Sequence, residues 1–253
     1  MIIAFTNHKG GTGKTTSVAN IGTILHSKGK SVLFIDCDPQ GNLSYSLGAS
    51  DFKYGVSDVL LNKVELSDAA IEIKANLYIL PSDIKSYKSE SQLYSQKNGE
   101  FLLKEILKNY VDDVDYILID CPPSLSIYTK NALNAANSVI IPMQLDVLSL
   151  QGLEQMTSIL SEIINSTNPN LTVTGVLGVN VNESRKLSSE ILEHIRENYD
   201  LPIFNNYIRA SVKVAEAPSF AKSVVEYAPE SSSAKDYKSV TNELLKITEN
   251  KKK

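Results

Sequence analysis

A chain of 253 residues with 42 % apolar side chains has room for one large α/β domain, or two small ones, around an ordinary core. A net charge of −4 gives no sign of a globally basic nucleic-acid binder, so any DNA contact must come from a local basic patch. No apolar run approaches the ~20 residues of a membrane span. Cys37 and Cys121 each follow an Asp at a strand end, which suggests neither a disulfide framework nor a zinc site but a reducing, cytoplasmic setting. The chain starts directly on an apolar strand, so no signal peptide is expected.

The first sixteen residues, MIIAFTNHKGGTGKTT, organise everything after them. Ile2 to Phe5 reads as a buried strand. The turn Lys9-Gly10-Gly11-Thr12-Gly13 follows, and then Lys14-Thr15-Thr16 opens a helical pattern carried by Val18, Ile21 and Leu25. Strand, glycine loop, Lys-Thr and helix is the order of a phosphate-binding loop. Glycines let consecutive backbone N–H groups turn toward phosphate oxygens, and a helix N-terminus adds partial positive charge. Lys14 can reach the β- and γ-phosphates, and the Thr15 hydroxyl can ligate Mg²⁺.

The helix spans 17–28 and Gly29 closes it. Ser31 to Ile35 is a second buried strand, and it runs into Asp36-Cys37-Asp38-Pro39-Gln40-Gly41-Asn42. Continuous apolar strands predict a parallel sheet covered on both faces, with its ligand site beyond the carboxyl ends of the strands. Asp36 and Asp38 then sit beside the phosphate loop, where a carboxylate can hold Mg²⁺ or position water. Residues 43–75 are less informative, apart from a helix over Val56 to Leu61. Asn76 to Pro81 is another strand. Residues 82–99 read as a surface connection or a solvated helix, and Phe101 to Tyr110 as a helix.

Asp115 to Asp120 is an apolar strand ending in an acid, the arrangement in which Asp120 holds Mg²⁺ directly or through water. Pro122 and Pro123 then force a turn. A helix over 126–136, a strand from Ser138 to Pro142 and a long helix from Leu153 to Ile164 come next. Leu171 to Val181 is a further strand, and its Asn180 either reads an adenine edge or simply ends the strand. Residues 187–199 form an amphipathic helix, and Ala234 to Thr248 closes the chain before a Lys251-Lys252-Lys253 tail.

Together these strings resemble the ParA/MinD family, of the Soj type, over Ile2 to about Leu245. K-G-G-x-G-K-T is similar to the family's deviant Walker A motif, with His8 where the general phosphate loop has glycine. D-x-D-P-Q-G-N is similar to its switch I, D-x-P-P-S to its switch II, and E-A-P-S (Glu216 to Ser219) to its adenine-closing segment. The resemblance implies a P-loop NTPase fold in one domain over 1–253, a mostly parallel twisted sheet with helices on both faces. It implies an ATPase of weak intrinsic turnover that uses ATP and Mg²⁺. The nucleotide residues would be Lys9, Gly10, Gly11, Thr12, Gly13, Lys14, Thr15, Thr16, Asn180, Ile208 and Arg209, and the metal residues Thr15, Asp36 and Asp120. Lys14 and Asp38 would support hydrolysis, and Lys9 would reach the partner subunit's nucleotide in a homodimer. Asp146 stands where many members have an acid near the dimer face.

By the same resemblance, the ATP-bound sandwich dimer binds non-specific DNA through Arg185, Lys186, Arg209 and Lys213. A ParB-type partner stimulates hydrolysis and release, in a nucleoid-associated partition system. The family's usual D-P-R-S-K/R-G-A is replaced here by Ala228 to Ala234, so that Glu230 and Ser232 stand at usually basic positions. With no N-terminal extension, no additional operator-binding domain is expected. The rival readings are a MinD-like membrane-associated positioning ATPase, a ParA-like ATPase for a non-DNA cargo, and a nitrogenase-type iron protein. The first needs a terminal amphipathic helix with bulky apolar residues, and the last needs cluster-ligating cysteines placed away from the nucleotide motifs. No membrane association is expected.

Overall fold

The structure is a computed structural model that describes residues 1–182 and 186–250. In chain order the elements are β1 (Ile2–Phe5), α1 (Lys14–Ser27), β2 (Val32–Asp36), α2 (Asn42–Ser46), α3 (Val56–Leu60), α4 (Leu66–Ala69), β3 (Ile71–Lys74) and β4 (Leu77–Leu80). There follow α5 (Lys85–Ser95), α6 (Leu102–Leu107), β5 (Tyr116–Asp120), α7 (Ile127–Ala135), β6 (Ser138–Gln144), α8 (Val147–Ser166) and β7 (Thr172–Val179). The last are α9 (Lys186–Asn198), α10 (Val212–Glu216), α11 (Val224–Tyr227) and α12 (Ser232–Asn250).

The strands form one seven-stranded sheet in the order β3-β4-β2-β5-β1-β6-β7. Every pairing is parallel except β3 with β4. Alternate residues of each central strand feed two separate cores. Ala4, Ile35 and Ile119 pack with α3, α6, α7, α8 and α9 on one face. Ile3, Phe5, Phe34 and Leu118 pack with α1, α11 and α12 on the other. Because both faces are covered, β1, β2 and β5 are buried along their whole length, which is why they read as unbroken apolar runs.

Register places the site. Phe5 pairs with Asp120 and Asp36 pairs with Asp120, so the carboxyl ends of β1, β5 and β2 stand side by side. The loops that follow them therefore share one rim, where ligand sites of such sheets lie.

The short helices α2, α4, α10 and α11 are not expected from the sequence, and three further elements differ for a plain physical reason. α8 starts at Val147 rather than Leu153, because the Asp146 carboxylate caps it by accepting Ser149 N–H at 2.8 Å. β3 escapes notice because it is a half-exposed edge strand of alternating Ile and charged residues, inside a segment with little pattern. Residues 85–95 are a helix that does pack, with Ser86, Ser89 and Leu93 buried, so the segment is not simply solvated.

Candidate nucleotide site

The glycine loop turns on backbone shape. Gly11 (φ 72°) and Gly13 (φ 75°) both lie in the left-handed region, and a Cβ on Gly13 would press on the Val179 side chain at 3.3 Å. Gly13 also precedes α1 without any side-chain cap, so side chains leave the first N–H groups of that helix available to an anion. Gln144 Nε2 donates to the Gly11 carbonyl at 2.9 Å and holds the loop from the end of β6. Asn7 braces its other side, donating to the Pro142 carbonyl and accepting Lys9 N–H. Neither bracing contact is announced by a local pattern in the sequence.

Lys14 is buried and folds back over the loop, donating to the Asn7 and Lys9 carbonyls at 3.2 Å each. Burial lowers its pKa, opposed by the charge of Asp120. Thr15 Oγ1 donates to Asp120 Oδ2 at 2.6 Å. The second oxygen of Asp120, Oδ1, is buried and has no hydrogen-bond partner. Burial pushes the Asp120 carboxyl well above the usual carboxylate range, and the nearby Asp36 adds to the rise. A buried carboxylate with one open oxygen next to a threonine hydroxyl is a hard-oxygen donor set that fits Mg²⁺.

Asp36, expected as a metal residue, is fully buried and braces the loop that follows it. Its Oδ2 accepts Ser44 N–H (2.9 Å) and Ser44 O–H (2.7 Å), and its Oδ1 accepts Asp38 N–H (3.1 Å). Both oxygens thus help to shape the 36–44 loop, and burial pushes the carboxyl up to about 7. Asp38 does line the cavity, where its Oδ1 accepts Gln40 N–H at 2.9 Å. The turn needs Gly41 (φ 65°), where a Cβ would meet the Ser82 carbonyl oxygen at 2.5 Å. Cys37 and Cys121 are free and fully buried beneath these loops, and burial raises both thiols.

A cavity of about 1010 Å³ runs along this rim. Its lining includes Gly10 to Thr16, Asp38, Pro122, Pro123, Asn180, Ile208, Arg209 and Tyr237. The volume is at the upper end for a small-molecule site.

The AAA domain family profile matches residues 1–173. The sporulation initiation inhibitor protein Soj of Bacillus subtilis (strain 168) is 36 % identical over 249 residues, covering 96 % of this chain and 97 % of that protein. The chain belongs to the Soj/ParA family. A second member, the chromosome-partitioning ATPase Soj of Treponema pallidum, is 34 % identical, with 96 % of each chain covered. Among solved structures, cobyrinic acid a,c-diamide synthase from Mycobacterium smegmatis with bound ATP analogue and magnesium superposes with a TM-score of 0.87 at 33 % identity. That match covers 96 % of this chain and 93 % of the other.

The remaining residues expected from the Soj/ParA resemblance fall into three groups. Asn180, Ile208 and Arg209 line the cavity; Asn180 holds a left-handed backbone (φ 54°), and Val181 N–H bonds the Ile208 carbonyl. Lys9 lies outside the cavity lining: its Nζ contacts Asp146 at 3.3 Å and Ser149 Oγ at 3.2 Å within the same chain.

Of the basic residues, Lys186 is exposed at the start of α9, and Arg185 lies outside the described residues, as does the 251–253 tail. Lys213 is exposed but bonds Glu216 at 2.8 Å, with its ammonium over the Tyr227 ring. The Arg209 guanidinium is bound by Asp236. Glu230 pairs with Lys235 at 3.3 Å.

Proposed function

We propose that the chain is a single ATPase domain that binds ATP with Mg²⁺, hydrolyses it, and acts as a DNA-partitioning switch. The carrying observation is the open, buried Asp120 Oδ1 beside Thr15 and Lys14 under the glycine loop. The family relatives named for chromosome partitioning support the biological role.

Mg²⁺, held by Thr15 and Asp120, would neutralise charge on the phosphates. Lys14 exchanges its two carbonyl contacts for phosphate oxygens, and the loop N–H groups cradle them. Asp38 faces the cavity and orients water for attack. Lys9 leaves Asp146 to reach a partner subunit's nucleotide. That ion pair is about one-third exposed, so breaking it costs about 1 kcal/mol or less. A homodimer formed only with ATP doubles the face carrying Lys186 and Lys213, so that non-specific DNA affinity rises by avidity. A ParB-type partner would speed hydrolysis, and the protein would be nucleoid-associated while ATP is bound.

The membrane-positioning rival, which needs a terminal amphipathic helix free to meet the bilayer, has less support: the apolar face of α12 is taken up, with Tyr237, Val240 and Leu244 buried in one core with Ile21 and Leu25 of α1.

The test is binding to a non-specific duplex with ATP, ADP or no nucleotide, at two salt concentrations, for wild type and Lys213→Ala. Binding that needs ATP, weakens with salt and falls in Lys213→Ala is the expected result. Absence of DNA binding in every condition, with ATP turnover intact, would overturn the partition reading and leave the ATPase.

A further inference from the structure

α5 is built inside out. Its buried face is carried by Ser86, Ser89 and Leu93, while the bulkier Ile84 at its cap, Tyr87 and Tyr94 are 70 %, 48 % and 52 % exposed. A helix held by apolar packing alone shows the opposite pattern. The inward Ser86 instead belongs to a hydrogen-bonded chain. Its Oγ meets Ser82 Oγ at 3.2 Å, Ser82 N–H donates to Ser44 Oγ at 3.0 Å, and the Ser44 hydroxyl donates to Asp36. From the other side the buried Tyr128 of α7 donates its hydroxyl to the Ser86 carbonyl at 2.8 Å. α5 is therefore fastened both to the 36–44 loop after β2 and to the helix that follows Pro122 and Pro123.

From that anchored position α5 makes a second contact with the loop, on the cavity side. Tyr87 lines the cavity together with Asp38 and Gln40. Gln40 Nε2 donates to Tyr87 Oη at 2.8 Å, and Gln40 N–H donates to Asp38 Oδ1 at 2.9 Å. Gly41 N–H closes the turn on the Asp38 carbonyl at 2.9 Å. The Asp38 carboxylate is thus oriented by the backbone of Gln40, and the side chain of Gln40 is tied to a separate element by Tyr87. A carboxylate that aims a water must keep its geometry to within about 0.5 Å, and a tether from a fixed helix narrows the directions open to the turn that carries it.

We propose that Tyr87 is a positioning residue for ATP hydrolysis: through Gln40 it holds the Asp38–Gly41 turn, so that the Asp38 carboxylate keeps its aim at the attacking water. This rests on the ATPase reading above, in which Asp38 orients water, and adds to it the restraint that fixes that carboxylate. Tyr87 touches no reacting atom. No local pattern announces its part, because the side chain that it holds lies 47 residues earlier in the chain.

The experiment follows single-turnover phosphate release at saturating Mg·ATP, with ATP affinity by calorimetric titration, for wild type, Tyr87→Phe, Gln40→Ala and the double variant. Tyr87→Phe removes only a hydroxyl from a half-exposed side chain, so the fold and the Tm should be retained. It should slow phosphate release about two- to tenfold, the scale of one neutral hydrogen bond. ATP affinity should stay within about twofold of wild type, since the lost restraint acts on the chemical step. Gln40→Ala should be slowed at least as much. Adding Tyr87→Phe to it should cost nothing more, because the hydroxyl then has no side chain to hold. A merely structural role would lower Tm or affinity and leave the release rate of the bound complex alone. Unchanged release in Tyr87→Phe would overturn the inference, as would a full further loss in the double variant or a fall in affinity that matches the fall in rate. Failure of the wild type to hydrolyse ATP would overturn the ATPase reading itself, a separate result.

Discussion

Replacing Lys14 with Ala removes the one ammonium buried under the glycine loop, and its two consequences should separate cleanly. In the free protein Lys14 donates to two backbone carbonyls and lies in the field of Asp120 and Asp38, while burial works against its charge. Loss of those bonds is thus offset by relief of the burial cost, and the net change in unfolding free energy should stay within about 2 kcal/mol. With nucleotide the balance is different. Charge-assisted contacts to phosphate are worth about 1.5–3 kcal/mol each, so losing contacts to two phosphates weakens affinity about 10²- to 10⁴-fold. At ATP a hundredfold above its Kd, wild type gains about 2.7 kcal/mol. For a chain of this size that is a rise in Tm of about 5–10 °C. Thermal unfolding with and without Mg·ATP should show this rise in wild type and at most about 1–2 °C in Lys14→Ala at the same concentration. An undiminished rise in the variant would refute the loop assignment.

Lys9→Ala should still bind ATP but remain monomeric by light scattering; an ATP-dependent dimer in that variant would sink the partner-reaching role. Asp38→Ala should bind ATP with near-normal affinity and trap the dimer, with phosphate release slowed at least about 10²-fold, in the range of general base catalysis; rapid turnover would move the hydrolytic role elsewhere. Burial raises the Glu243 carboxyl, but four N–H bonds from Asn205 and Asn206 outweigh it. Its folded pKa therefore lies below its unfolded value of 4.5, so its stabilisation is present at neutral pH and is lost as pH falls below about 4.5. The stability gap between wild type and Glu243→Gln, measured by denaturant titration, should therefore close between about pH 5 and pH 3. A gap independent of pH would contradict that account.

The central strands, the glycine loop and the aspartates after β2 and β5 were legible from residue order alone. Burial on both faces leaves unbroken apolar runs, and glycines are required where the backbone turns left-handed, so these features write themselves into local sequence. That locality also sets a limit. Asp36 and Asp120 both close apolar strands and looked equivalent. Only the fold shows that Asp36 spends both oxygens on Ser44 and Asp38 while Asp120 keeps one open. Nothing local to Arg209 announces the carboxylate of Asp236 that α12, 27 residues away in the chain, places against it. Asn7 and Gln144 carry no pattern, because their work is to bond backbone atoms brought near by sheet pairing. Sequence determined which chemistry the strand ends offer, since composition and turn shape are local properties. Tertiary structure decided which carboxylate stays available and which cation is already paired, since hydrogen-bond partners are settled by contacts between distant segments.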